Sequence, residues 1–249
     1  MGDHGDIALV RSLSYLSEAQ ATFAHNLANV ESPSFKRRTP RAVESEDSFG
    51  TLLDAKLKSV MFTETVDWSQ GTLQPTGNSF DIALSKGDFF RVKGTNGEGY
   101  YTRNGQLAID AAGRLVNSAG MPYLDEAGQE LTLRSADGGA VGQLLVGPNG
   151  TIADAKDPTT ILGRLGMFRV ADADALQSVG RGVYRDTAGQ AVTASPAATV
   201  TQHTLERSNV ETTAELVQML GIQRTFQATQ KVLGSLHRMK DQYVAAMNR

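Results

Sequence analysis

The sequence predicts a mainly β chain, in which a Gly-rich antiparallel β-domain is flanked by N- and C-terminal α-helices that form a coiled-coil-like helical domain. Three observations predict it. Apolar residues recur at heptad spacing at the start of the chain, and they recur on nearly the same beat at its end. Between these stretches, glycine-bearing turn signals arrive every few residues and cut the chain into strand-length pieces.

The first element is a helix from Ile7 to Val30 with Asp6 as its N-cap. Leu9, Leu13, Leu16, Phe23, Leu27 and Val30 alternate four- and three-residue steps, and Gln20 is the one polar member. The helix should stop near Ser32, because Pro33 disfavours a helical conformation in the residue before it. Residues 1–33 are therefore the N-terminal helix of the assembly domain and 34–70 a connector. The connector's apolar patch of Leu52, Leu53, Leu57, Val60, Met61 and Phe62 fits helix and strand equally.

Residues 71–200 read as the β-rich domain. Turns are expected at TGN (76–78), GTNGEG (94–99), RNG (103–105), AAG (111–113), SAG (118–120), ADGG (136–139) and GPNG (147–150), with glycine supplying positive φ. Between them lie the strand candidates FDIAL (80–84), FFRVK (89–93), QLAID (106–110), LTLRS (131–135) and MFRV (167–170). Many hairpins of this kind make an antiparallel domain.

Residues 201–249 hold the C-terminal helix. SNVE at 208–211 is a capping box, in which the Ser208 hydroxyl accepts from the backbone of Glu211, and TTAE at 212–215 offers the same pattern one turn later. Leu216, Met219, Ile222, Phe226, Leu233, Leu236, Tyr243 and Met247 form its stripe, with Thr229 and Lys240 as polar interruptions. A helix from Val210 to Met247 is about 57 Å long and must be covered by something. One solution is a hairpin of the two terminal helices within one molecule; the other is lateral packing among many copies. Both are open on the physics alone.

Composition excludes several classes. A formal charge of -3 leaves no nucleic-acid footprint, and the single basic cluster, Lys36, Arg37, Arg38 and Arg41, reads as a solvated loop after a helix. No apolar run is long enough to span a membrane, so no membrane insertion is expected. Zero cysteines remove disulfides and thiol catalysis. His4, His25, His203 and His237 lack metal-ligand spacing, and KGTNGEG lacks the Lys-Ser/Thr of a phosphate loop. Asp81 with Asp88, or Asp110 with Asp125, is the nearest thing to a carboxylate pair. The chain is expected to be no enzyme and to need no cofactor or metal.

Four motifs in order decide between the two solutions. NLANVESPSFKR (26–37) resembles the N-terminal signature of the flagellar axial proteins, the rod and hook family, and LERSNVETTAELVQMLGIQRTFQATQKV (205–232) is similar to the C-terminal one. GTLQPTGNSFDIAL (71–84) and YTRNGQLAIDAAGRLV (101–116) resemble the β-domain shared by the proximal and distal rod proteins. Two positions depart from the pattern: Ser34 stands where Gly usually precedes the aromatic, and Gly87, Asp88, Phe89, Phe90 is one glycine short of the usual run. The first bears on the turn there and the second on where that strand starts.

The resemblance implies a subunit of the bacterial flagellar basal-body rod that polymerises through its terminal helices into a helical drive shaft. It would be exported by the flagellar type III route without a Sec signal and sit in the periplasm-spanning rod. Expected partners are copies of itself, other rod and hook proteins, the export apparatus and basal-body ring proteins. The assembly interface is then expected at Leu9, Leu13, Leu16, Phe23, Asn26, Leu27, Asn29, Val30, Phe35, Lys36, Ser208, Asn209, Val210, Leu216, Met219, Gln223, Arg224, Phe226, Leu233 and Leu236. Asn26 would fix register, and Asn29 would do so or end the helix. Arg224 beside Gln223 would bridge carboxylates of a neighbour or face solvent. A secreted β-rich adhesin with coiled-coil ends and a peptidoglycan-cleaving enzyme of the flagellum are the alternatives.

Overall fold

The computed structural model describes residues 3–44, 60–134, 141–187, 189 and 192–247. In chain order the elements are α1 (Asp3–Ala28), β1 (Arg38–Glu44), β2 (Val60–Val66), β3 (Leu73–Pro75), β4 (Ile82–Leu84), β5 (Asp88–Lys93), β6 (Gly99–Thr102), β7 (Ala108–Ile109) and β8 (Leu115–Val116). There follow β9 (Leu144–Val146), β10 (Thr151–Asp154), β11 (Asp157–Arg164), β12 (Met167–Val170), β13 (Leu176–Gly180), β14 (Val183–Asp186), β15 (Val192–Ala194), β16 (Val200–Gln202), β17 (Thr204–Glu206) and α2 (Thr212–Met247). The chain is mainly β, every strand pairing is antiparallel, and a long helix closes it. It divides into two compact units.

The helical unit gathers Met1–Ala28, Arg38–Val66 and Glu211–Arg249. Here α1 packs against α2 and against the β1–β2 ladder, where Arg38 faces Val66 and Glu44 faces Val60. The ladder falls in the stretch read as connector. Val60, Met61 and Phe62 are strand, whereas Leu52, Leu53 and Leu57 lie outside the described residues. Tyr15 of α1 rests on Phe62 with ring centroids 6.1 Å apart.

The β unit gathers Asn29–Arg37 and Asp67–Val210. Its main sheet has the order β13-β14-β6-β5-β12-β15. Apolar doublets explain this sheet: Phe89–Phe90, Tyr100–Tyr101, Met167–Phe168 and Val183–Tyr184 each send one side chain to either face. Phe90, Tyr100, Met167 and Val183 join the larger core, with Ile82, Leu115, Leu133, Ile152 and Leu165 among its members. Phe89, Tyr101, Phe168 and Tyr184 form a second, smaller core on the opposite face, against which Trp68 packs. A sheet buried on both faces needs no polar alternation.

A repeated turn builds the middle of this unit. In Asp110-Ala-Ala-Gly113, Asn117-Ser-Ala-Gly120 and Asp125-Glu-Ala-Gly128, the glycine N–H donates to the backbone carbonyl of the first residue at 2.9, 2.9 and 3.2 Å. The side-chain oxygen of that first residue accepts from the N–H four residues on, at Arg114, Met121 and Gln129. Each glycine has φ near +80° (81°, 78° and 82°), which L side chains resist.

Several expectations change. The first helix runs from Asp3, so Asp6 lies inside its first turns rather than capping it, and it ends at Ala28 rather than Val30. Gly105 in RNG has no positive φ; a Cβ there would sit 1.8 Å from the Ile82 carbonyl oxygen, so close backbone approach is what demands glycine. QLAID shrinks to the two residues of β7. LTLRS makes only an isolated bridge at Thr132, within a network of backbone bonds from Leu131 to Tyr123 and Leu133 to Gly113. Its Ser135, and the ADGG turn after it, lie outside the described residues.

Candidate assembly surface

The two terminal helices run antiparallel within the chain. Asn26, near the end of α1, donates to the Glu215 carboxylate near the start of α2 at 3.0 Å. Asn26 is fully buried: its amide also donates to the Arg38 carbonyl at 2.7 Å and accepts from the Arg38 N–H at 3.0 Å. One side chain thus ties α1 to α2 and to β1, which is a register device inside the molecule. Leu16 and Phe23 are buried along α1, and Leu9, Leu13 and Leu27 are half-buried. On α2, Met219, Ile222, Phe226, Thr229, Leu233 and Leu236 form the matching half-buried stripe.

The single-chain hairpin therefore forms, but it does not use up the apolar surface. Leu216 is 44% exposed, because two successive three-residue steps, 216 to 219 to 222, throw it off the stripe. Val217 and Leu220 beside it are 62% and 53% exposed. At the far end α2, with 36 residues against 26 in α1, outruns its partner by about 15 Å at ~1.5 Å per residue. Tyr243 and Met247 are accordingly exposed at 69% and 70%.

A second set of expected residues sits in the β unit, where the segment 29–37 meets 204–210. The expectation that the basic cluster is a solvated loop fails at Lys36, which is buried. Its Nζ donates to Glu206 Oε1 and to the Ser69 carbonyl, at 2.5 and 2.7 Å. Burial pushes the Lys36 ammonium down from its ordinary value, and the Glu206 carboxylate pulls against that. Glu206 also accepts from the Gly71 N–H at 3.1 Å, and its second oxygen accepts from Arg103 Nε and Nη2 at 3.1 and 2.9 Å. Arg103 in turn donates to the Asp88 carbonyl. One carboxylate thus bridges two buried cations, with every lone pair engaged.

The turn departures resolve around this clasp. Ser34 adopts φ 56°, the left-handed region that a glycine takes freely, and is held there because its N–H donates to the Glu206 carbonyl and its hydroxyl to the Arg103 carbonyl, both at 2.8 Å. Asp88 opens β5, its carboxylate accepting from Ser85 Oγ at 2.9 Å and pairing with Arg169. Asn209 accepts from the Arg37 N–H at 2.7 Å and donates to Asp67 and Ser69. The capping box at Ser208 does not form, since its hydroxyl accepts from the Val210 N–H at 3.2 Å and the helix starts only at Thr212.

The expected interface residues thus fall into four places. Leu9, Leu13, Leu16, Phe23, Asn26, Leu27, Met219, Phe226, Leu233 and Leu236 lie along the helix pair; Phe35, Lys36, Ser208, Asn209 and Val210 lie in the β unit; Leu216, Gln223 and Arg224 face solvent on α2. Asn29 and Val30 form the turn after α1, where the Asn29 carbonyl accepts from the Ser32 N–H at 3.0 Å, so Asn29 ends the helix. Sequence reasoning missed Glu206, Arg103, Glu64 and the buried role of Glu215. A carboxylate at 206 amid apolar and basic neighbours carries no periodic signal, and its partners are 170 and 103 residues away.

Comparison with known proteins points one way. The family described as "Flagellar hook protein FlgE/F/G D1 domain" matches residues 84–153, and "Flagellar basal body rod FlgEFG protein C-terminal" matches 201–246. The chain is 30% identical over 216 residues to the flagellar basal-body rod protein FlgF of Caulobacter vibrioides, covering 84% of each. It is 29% identical to FlgG of Buchnera aphidicola subsp. Schizaphis graminum, over 87% of this chain and 89% of that one. FlgF of Escherichia coli is 28% identical, over 94% of both chains.

Proposed function

The chain belongs to the flagellar basal-body rod protein family, and from that premise we propose that it is a structural rod subunit that polymerises through its terminal helices into a helical drive shaft. The observation that carries this reading is the apolar surface of α2 that α1 leaves uncovered. Exposed apolar area costs on the order of 25 cal/mol per Å² relative to burial, so copies that cover it for one another gain what a lone chain lacks. A contact that repeats from copy to copy without closing yields a helical filament. A coiled-coil-type seam between copies continues the seam within each.

The relatives are named as flagellar basal-body rod proteins, which speaks against an enzyme and gives no support to an adhesin or a peptidoglycan-cleaving activity. Partners are further copies and other flagellar axial proteins. Passage through the flagellar export apparatus, a periplasm-spanning position and contact with basal-body rings complete the proposal. The test replaces the native gene by one encoding Leu27→Asp with Phe226→Asp. Loss of motility with native Trp68 fluorescence in the purified variant is expected; normal swimming refutes the assignment of the helix pair to assembly.

A further inference from the structure

We propose that Arg91 and Tyr101 form a seat for a monocarboxylate on the smaller-core face of the six-stranded sheet. The seat lies within the β unit and does not depend on how copies assemble. Arg91 is half-buried in β5, yet among the described residues its guanidinium makes no ion pair and donates no hydrogen bond. Its Nε is buried and unsatisfied, while the terminal nitrogens reach solvent. The arginines around it are answered: Arg103 by Glu206, Arg169 by Asp88 and Arg185 by Gln177. A half-buried cation with no counter-charge is an unmet demand, since such groups are ordinarily paired or hold an ion.

The fold builds the slot. Arg91 stands directly across the β5–β6 ladder from Tyr101, and its Cζ lies 5.9 Å from the centroid of the Phe168 ring. Gly99 leaves room for the fork: an added Cβ would come 2.5 Å from Arg91 Nε and 2.7 Å from Nη2. Gly99 has no positive φ, so this close approach, and not a turn, is what the glycine serves. Packed in this way, a weakly hydrated guanidinium has its plane fixed and its Nη1–Nη2 end turned outward. The Tyr101 hydroxyl also makes no hydrogen bond among the described residues, and burial holds the phenol above its ordinary value, so it keeps its proton and can donate.

Shape and charge name the ligand. The parallel N–H bonds of a guanidinium match the two oxygens of a carboxylate, with the Tyr101 hydroxyl as a further donor. Phosphate oxygens match them too, but phosphate is largely doubly charged in neutral solution. The Asp186 carboxylate lies close enough to raise the Tyr101 phenol further, so it repels a second negative charge. One cation beside one fixed carboxylate therefore suits a singly charged anion.

The test is calorimetric titration of the full-length protein with sodium acetate, with aspartate blocked at its backbone amine and carboxyl, and with inorganic phosphate, ionic strength being held constant with chloride. The native chain should bind acetate saturably, in the millimolar range. Arg91→Met keeps the apolar stem and should bind about 10-fold more weakly, the loss of a hydrogen bond to a charged group. Tyr101→Phe should bind about 3-fold more weakly, the loss of a neutral donor. Gly99→Ala, which fills the slot and displaces the fork, should weaken binding at least as much as Tyr101→Phe. Trp68 fluorescence, which reports the same smaller core, checks that each variant is folded. No saturable heat from the native chain, or an Arg91→Met protein that binds like it, overturns the seat. Phosphate binding more tightly than acetate overturns the ligand class, and a Gly99→Ala protein with native affinity overturns the slot. Blocked aspartate binding more tightly than acetate assigns the carboxylate to a side chain of another protein, and the reverse order assigns it to a free anion.

Discussion

Replacing Glu206 by Gln should unfold the β unit more readily than any surface change. The carboxylate is 0% exposed and is the counter-charge to both Lys36 and Arg103, themselves buried. The amide keeps the shape but leaves two cations in the interior without compensation, and its NH2 group offers donors where Lys36, Gly71 and Arg103 already donate. Breaking a buried ion pair by removing one partner costs about 3–5 kcal/mol. For a unit of this size, that lowers the melting temperature by about 10 °C. Lys36→Met should cost less, about 1–2 kcal/mol, because Glu206 and Arg103 remain a neutral pair, Glu206 Oε1 keeps the Gly71 N–H and the Ser69 carbonyl keeps the Asn209 amide. Trp68 reports the transition: it is the only tryptophan, and it sits 4.8 Å from Tyr184 and 5.5 Å from Phe89 within the β unit. Urea titrations followed by its fluorescence give the order Glu206→Gln, then Lys36→Met, then native. A Glu206→Gln protein within about 1 kcal/mol of native, or less affected than Lys36→Met, refutes the clasp as described.

Two further outcomes concern the helical unit. Asn26→Ala should destabilise it by about 1–3 kcal/mol, because the Arg38 backbone groups lose their partner and the buried Glu215 carboxylate loses a donor; helix melting by circular dichroism unchanged from native would contradict this. Burial, and then the Arg38 cation, hold the His25 imidazole below its ordinary value of 6.5, with Glu64 opposing. The folded chain then binds fewer protons than the unfolded one, so this contribution is complete above pH about 6.5 and is lost as pH falls through the lowered value. Helix melts should therefore drop between pH 7.5 and 5.5, and His25→Gln should flatten that slope; equal slopes in both proteins argue against it.

Both long helices were legible because periodicity is a local property: the stripe from Leu9 to Leu27 and that from Met219 to Leu236 need only their own sequence to be seen. Strands such as β5 and β12 were legible because the turn signals that bound them are local too, whereas the sorting of their apolar doublets between two cores depends on the neighbouring strands. What escaped depends on distant neighbours. The β1–β2 ladder hides in a stretch without clean alternation, since it backs onto α1 partly through polar pairings, Thr22 to Glu64 at 2.6 Å and Asn26 to the Arg38 backbone. Lys36 looked like any basic loop residue, and nothing near position 36 announces a carboxylate at 206. Leu216 sits three residues before Met219, in apparent step with the stripe, but the helical pitch turns it to solvent.

The first strands of the β unit are hydrogen-bonded to its last: β3 pairs with β17 and β4 with β16. Everything between hangs from a stem whose two sides are fastened together, as a bag hangs from a drawn neck. Extra sequence spliced into the bag leaves that neck untouched, and lengthening a flexible insertion twofold costs only about 0.6 kcal/mol of closure entropy. Proteins of this construction can grow stouter or slimmer in evolution without relearning how to begin and end.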